Sequence, residues 1–558
     1  MPDQHVLPLT AFAQRLAEQP QQTYLTQPYP GGRLERLSFT EVDDQVRRVA
    51  AWLQSLQLPA GSRIAIISKN CAHWLISDLA IWMAGHVSVP LYPNLTAESV
   101  RQVLEHAEAQ VAIIGKLDAW PSMAPGVPEG VITLAMPLAP EGAFDRTWQD
   151  ALAHAPLSGA WQGQAEDLAT IIYTSGTTGV PKGVMHNFAN FAFTGSQAVS
   201  LFDVNRNDRV LSYLPLSHVA ERVFVELASL YSGQQVFFAE SLDTFMADLQ
   251  RAKPTVFFAV PRIWSKFQMG VYERVSPKAL NLLLKLSLLG ARMGRKVLAG
   301  LGLNHVRYAV SGAAPLPDAV QRWYALLGLD VIEAYGMTEN CGYSHIGRPD
   351  APRQGWIGPN NPGVTVRLSD QGEVQVKSGA TMLGYFKDPE RTAEVLTADG
   401  FLRTGDKGEQ SGDGYLRLTG RIKDIFKTSK GKYVAPAPIE NRLAAHERLE
   451  QVCVAGDNLP QALGLCVLSE MAREQANSSD GRKALGQSLE QLLAHTNSQL
   501  DKHEQLHSLV VVSDVWAVEN GFLTPTLKIK RNVVEDTYRE HFERWSTQAN
   551  KVQWHGFA

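Results

Sequence analysis

The sequence predicts an α/β fold with a large N-terminal part of layered α/β units and a small α+β C-terminal part. Three observations carry this. Apolar strand-like runs alternate with helical spacing from about residue 40 to residue 337. Short β-pieces separated by glycine turns take over beyond about residue 355. A smaller mixed segment follows GRIKD at 420–424. The domains are therefore expected at 1–420 and 421–558.

The elements follow in order. Val42, Val46, Val49, Ala50 and Leu53 have helical spacing, with Thr40 as the expected N-cap. RIAIIS (63–68), VSVPLYP (87–93) and QVAIIG (110–115) read as strands, with helices expected over 73–86 and 98–107. Strands are again expected at 209–216, 255–261, 306–313 and 330–337, and a helix at 240–254. The run 279–294, interrupted by Lys285 and Arg292, predicts one buried or amphipathic helix. Residues 472–487 are expected to be an exposed loop running into a helix.

Composition narrows the function classes. The 558 residues suffice for several cores, and 45% hydrophobic with 19% charged residues excludes a disordered chain. Lys plus Arg is 52 and Asp plus Glu is 56, a net charge of −4 that leaves no basic footprint for nucleic acid. Four scattered cysteines with no CxxC pair argue against a zinc site or disulfide framework and for a reducing compartment. The N-terminus lacks a basic segment followed by an apolar core, so no signal peptide is expected. No apolar run reaches the roughly 18 residues of a membrane span. The expected location is cytoplasmic, with peripheral membrane contact and a homodimer left open.

Chemistry concentrates in IIYTSGTTGVPKGVMH (171–186). A strand runs into Thr174, Ser175, Gly176, Thr177, Thr178 and Gly179, and Lys182 follows. Glycines let backbone N–H groups approach phosphate oxygens, hydroxyls add donors, and lysine adds a point charge. The spacing is not that of a P-loop, because Pro181 stands where that loop needs glycine. The bland alternative is a flexible surface loop.

This segment resembles the phosphate-binding signature of the acyl-adenylate-forming superfamily, which includes acyl- and aryl-CoA ligases, peptide-synthetase adenylation domains and firefly luciferase. Six further segments match in family order: PLSHVAER (215–222), SGAAPL (311–316), AYGMTE (334–339), FLRTGD (401–406), GRIKDIFKTSKGKYVAPAPIE (420–440) and TPTLKIKR (524–531). The resemblance covers nearly the whole chain and is nearest to the long-chain fatty acyl-CoA ligases. It implies a distorted β-barrel in the large part and a mobile small part.

The resemblance also implies roles. Gly312, Ala313, Tyr335 and Gly336 would line the adenine side, and Thr338 would hold the α-phosphate. Asp406 would accept the ribose hydroxyls. Thr174 and Glu339 would hold Mg²⁺, and Arg421 would face the nucleotide. Lys423 would be the pivot of the small domain. Lys430, Gly431 and Tyr433 would meet CoA. Lys528 would be the adenylation lysine, although Leu527 replaces the family glycine and Lys530 lies two residues on. His218 would line an acyl pocket or act catalytically by moving between the two half-reactions, the bland alternative being a structural histidine. Val219 and Trp264 would line the same pocket, with Phe257, Phe258, Ile263 and the helix from 279. Arg222 occupies a position where some relatives have a gating aromatic residue.

The implied reaction uses ATP, a medium- to long-chain fatty acid and CoA. The readings kept open are a ligase that loads a carrier protein, an aryl or short-chain acid ligase, and a non-catalytic acyl-adenylate-binding regulator.

Overall fold

The computed structural model describes residues 5–174, 182–444, 446–518, 520–524 and 528–557. The central sheet has eight strands. In order they are Gly384–Tyr385, Lys182–Asn187, Leu168–Thr174, Val87–Leu91, Arg63–Ile67, Ala109–Ile114, Ile132–Ala135 and Arg146–Thr147. Its middle is parallel, as the βα alternation predicts, and its strands are buried on both faces. The edge formed by Lys182–Asn187 and Gly384–Tyr385 is antiparallel.

A second sheet carries Val256–Ala259, Tyr308–Gly312 and Val331–Tyr335 in parallel, with His345–Ile346 antiparallel at its edge. A third joins Arg209–Ser212, Gln235–Phe238, Thr23–Pro28 and Leu34–Ser38. The region expected as a distorted barrel is a five-stranded antiparallel sheet built between Gly358 and Arg421.

The C-terminal part has its own core. Its sheet orders Leu449–Ala455, Ala462–Leu468, Leu506–Val512 and Val552–His555. Period-two alternation sends Val452, Val454 and Cys466 to one face, under the helix Ser479–Asn497. Cys453, Leu465 and Val467 go to the other, under Arg531–Thr547. The hairpin of Phe426–Lys427 and Tyr433–Val434 stands at its entrance. An exposed ion pair, Arg262 with Glu450, links it to the large part.

Three local expectations change. The helix expected around Val42–Leu53 is Phe39–Ser55, the second of the chain after Pro8–Glu18, and it is capped by Ser38 rather than Thr40: the Ser38 hydroxyl accepts from Glu41 N–H while the Glu41 carboxylate accepts from Ser38 N–H. Residues 279–294 form two helices, Pro277–Leu284 and Ser287–Gly300, interrupted at Lys285 and Leu286. The 472–487 stretch is almost wholly helical, in Glu470–Ala476 and Ser479–Asn497.

Candidate active site

The loop ends gather at one cleft. The strand Leu168–Thr174 pairs with Lys182–Asn187 so that Thr174 faces Lys182. The phosphate-type segment between them is thus anchored at both ends; Ser175, Gly176, Thr177, Thr178 and Gly179 lie outside the described residues. Lys182 Nζ lies 5.3 Å from the centre of the Tyr385 ring, a cation–π contact. The Tyr385 hydroxyl donates to Glu339 Oε1 at 2.8 Å. His186 Nε2 donates to the Thr338 carbonyl at 2.7 Å; a carbonyl only accepts, so this nitrogen carries the proton. Burial pulls the His186 pKa down to about 4, leaving the ring neutral.

The second sheet supplies the opposite wall. Gly312 ends one strand, where an added Cβ would meet the Phe258 ring at 3.0 Å. Ala313 follows at φ +67°, a left-handed conformation uncommon for alanine and stored at the cleft. At Gly336 a Cβ would lie 2.4 Å from the Gly342 backbone, so only glycine fits.

Tyr335 and Asp406 meet directly. The Tyr335 hydroxyl donates to Asp406 Oδ2 at 2.7 Å, and Arg421 Nε donates to Oδ1 at 2.8 Å. Burial first, then the Asp406 charge, holds the Tyr335 phenol protonated well above its ordinary range. Asp406 and Arg421 are register partners on neighbouring strands, which fixes their pairing.

Lys528 reaches this cleft from the C-terminal part. Its loop is closed at the neck by Thr524 N–H to the Lys528 carbonyl at 2.8 Å, Lys528 N–H to Thr524 Oγ1 at 3.0 Å, and Lys530 N–H to the Phe522 carbonyl at 2.8 Å. Arg531 anchors the loop from below, bonding Glu440 at 2.7 Å and the Val454 carbonyl at 2.6 Å. Lys528 is open to cleft solvent yet ringed by protein. Desolvation lowers its pKa, with Arg421 acting the same way, while Asp406 and Glu339 oppose the shift. Lys528 in turn adds to the burial that lowers His218 to about 4. Lys530 occupies the N-cap position of Arg531–Thr547.

Glu339 fits a magnesium site by chemistry. Among the described residues it has no ion-pair partner, and one oxygen is held by a neutral hydroxyl. No cluster of three or more His, Cys, Asp or Glu side chains could hold a metal among the described residues. A single carboxylate beside a phosphate-type segment is the donor set of an ion that takes one or two carboxylates and draws its other ligands from phosphate oxygens and water.

The acyl-side expectations divide. His218 caps the short helix Val219–Glu221, its Nδ1 accepting from Ala220 N–H at 3.2 Å. Val219 is buried against Gly342. Trp264 is fully buried between Phe257 and Tyr324, with its indole N–H on the Ala259 carbonyl, in the core behind the second sheet. Phe257 shares that core, whereas Phe258 faces the other way and stacks on Phe224 at 4.5 Å.

A small apolar cavity of about 40 Å³ lies on the Phe258 side. Leu201, Phe202, Phe224, Val310, Ala334 and Tyr343 are among its walls. Trp264 is not. Ala334 and Gly342 join this cavity to the Tyr335–Glu339 loop. Arg222 is not at its mouth either: it is fully buried with Asp78 and Glu226 at the start of a π-helical turn.

The CoA-side candidates are on the surface. Gly431, at φ +75°, turns the hairpin, and Lys430, Gly431 and Tyr433 are exposed. Lys423 is exposed in the short helix Ile422–Asp424.

The pattern described as AMP-binding enzyme matches residues 12–386, and that described as AMP-binding enzyme C-terminal domain matches 423–549. The chain belongs to the AMP-binding enzyme family. Among its relatives in this family is the long-chain-fatty-acid–CoA ligase FadD15 of Mycobacterium tuberculosis, 32% identical over 91% of this chain and 92% of that protein. Long-chain-fatty-acid–CoA ligase 6 of Mus musculus is 28% identical over 93% and 82%. Among solved structures, ATP-bound MatB from Rhodopseudomonas palustris aligns with TM-score 0.74 and 25% identity over 96% of this chain and all of that one. The anthranilate CoA ligase AuaEII with anthranoyl-AMP shares the fold at TM-score 0.78 and 21% identity, over 96% and 98%.

Tyr385, His186 and the cavity wall escaped sequence reasoning. His186 closes the phosphate-type motif and could have been found there. Tyr385 becomes visible only once Gly384–Tyr385 is seen as a strand on the edge of the central sheet.

Proposed function

We propose that this AMP-binding enzyme is a medium- to long-chain fatty acid–CoA ligase. One observation supports it above the others: Lys528, from the C-terminal part, reaches a cleft where its charge acts on Glu339, Asp406, Arg421 and His218. In the first step a carboxylate oxygen of the fatty acid attacks the α-phosphorus of ATP, and pyrophosphate leaves. Lys528 neutralises charge on the attacking carboxylate and the α-phosphate. Thr338 holds the α-phosphate. Thr174, Lys182 and the segment Ser175–Gly179 hold the outer phosphates. Asp406 accepts the ribose hydroxyls, which displaces or shares the Tyr335 bond. Tyr335, Gly312, Ala313 and Gly336 line the adenine side.

Thr174 and Glu339 would hold Mg²⁺, which neutralises phosphate charge when bound. In the second step the CoA sulfur attacks the acyl carbonyl carbon, giving up its proton, and AMP leaves. Lys423 would be the pivot, with the division at 420/421, by which Lys528 withdraws and Lys430, Gly431 and Tyr433 approach. The small apolar cavity bounded by Phe224, Ala334 and Tyr343 marks the acyl side and would have to widen to take the chain, with His218 and Val219 near the carboxyl end. A cytoplasmic location fits four cysteines that are all free and buried.

The test is ATP- and CoA-dependent AMP formation across acids from acetate to oleate, with benzoate included. A maximum among the longer chains with acyl-CoA as product is expected. No pyrophosphate with any acid overturns the proposal. Acyl-AMP accumulating without thioester overturns its second half.

A further inference from the structure

The helical hairpin at 277–300 carries a surface that the ligase chemistry does not use. Among the described residues fourteen large apolar side chains are exposed, and five of them fall between 275 and 289: Val275, Leu282, Leu286, Leu288 and Leu289. Leu288 is 86% exposed and Leu282 68%. The hairpin is firmly seated, because Leu280 and Leu284 from the same helix enter the core beside Trp323 and Phe267. Its exposed leucines crowd the tip, where the first helix ends and the second begins. A clustered apolar tip on a folded support is a contact surface rather than a scatter of single side chains.

Charge says what it contacts. Lys278, Arg292, Arg295 and Lys296 on the two helices and Lys285 at the turn between them are all exposed, and none makes an ion pair among the described residues. No Asp or Glu occurs between Glu273 and Asp318, in a chain whose net charge is −4. Leucines at a tip with cations behind them match the boundary of an anionic bilayer, acyl chains below and phosphates at the rim. We propose that residues 275–296 dock the protein on anionic lipid membranes.

The test uses the full chain and its readout is binding, so it is independent of whether the ligase assignment holds. Co-sedimentation is measured with phosphatidylcholine vesicles, alone or with about one-third phosphatidylglycerol, in low salt and in roughly 0.5 M NaCl. Binding to the anionic vesicles, weakened by salt, is expected. Leu288→Asp with Leu289→Asp is expected to reduce it about tenfold or more. Lys285→Gln with Arg292→Gln reduces it severalfold while leaving every exposed leucine in place, so the charge contribution is read even if the aspartate variant folds poorly. No binding to anionic vesicles overturns the proposal, as does binding indifferent to both variants. A concentration-dependent dimer abolished by the aspartate variant, with no vesicle binding, makes this face a self-interface and overturns it equally.

Discussion

The Tyr385 hydroxyl donates to Glu339 at 2.8 Å while its ring lies under the Lys182 ammonium, so one side chain touches both the carboxylate and the cation of the phosphate side. Burial and the Glu339 charge keep that phenol protonated far above its ordinary range, so it serves as a donor at every working pH. On the proposed role of Glu339, Tyr385 would act as a positioning residue. A neutral hydrogen bond contributes about 0.5–1.5 kcal/mol net. Tyr385→Phe should raise the Mg²⁺ concentration for half-maximal rate by roughly two- to tenfold, with a smaller effect on saturated rate. An unchanged magnesium dependence removes the role.

On the proposed mechanism, Lys528 should separate the two half-reactions. Lys528→Ala should slow acyl-AMP formation on the order of a hundredfold or more, the scale for losing one charge-stabilising group. Thioester formation from supplied acyl-AMP should be largely retained. Lys530→Ala, altering a helix cap position, should leave adenylation near normal. Single-turnover assays of each half-reaction decide this; the reverse pattern moves the role by two residues.

Arg222 should govern stability rather than chain-length choice. Its guanidinium, fully buried, pairs with Asp78 and with Glu226 at 2.9 Å, and lies 5.2–5.6 Å from the rings of Trp74, Trp82 and Phe191. Arg222→Met leaves two buried carboxyls without their cation, which costs about 3–5 kcal/mol. Denaturant unfolding should show that loss. The acid-length profile of the surviving folded enzyme should be unchanged.

His218 should titrate near pH 4. The cause is burial first and Lys528 second, and both disfavour the imidazolium. A folded-state pKa below the ordinary 6.5 means the unfolded chain binds this proton first. The His218 contribution to stability is therefore complete above about pH 6.5 and is lost as pH falls toward 4. Histidine NMR should find the ring neutral at pH 6. Lys528→Met removes the positive neighbour and should move the titration upward; an unmoved pKa means the two are not electrostatically linked.

Much of the frame was legible because its signals are local. Strand runs such as RIAIIS needed only apolar continuity, the 171–186 segment showed its glycines, hydroxyls and lysine directly, and the other six motif segments were legible through their resemblance to a known family. Pairings between distant segments were not legible. Phe257 and Phe258 read alike as greasy neighbours, yet period two sends one into the core with Trp264 and the other toward the cavity. Lys285 and Leu286 break a stretch that apolar content joined into one helix. Arg222 next to an expected acyl pocket gave no hint of Asp78, 144 residues away. The Tyr335–Asp406 bond joins residues 71 apart, and either side chain alone suggested only its own nucleotide contact.

The strand Lys182–Asn187 is laced on both sides, to Leu168–Thr174 along one edge and to Gly384–Tyr385 along the other. Slipping either ladder by one residue would invert which side chains face the cleft. Lys182 and Tyr385 are therefore set by a single piece of joinery. On the proposed roles of Lys182 and Glu339, triphosphate and metal would be gripped together through this one strand, like two jaws on one spindle.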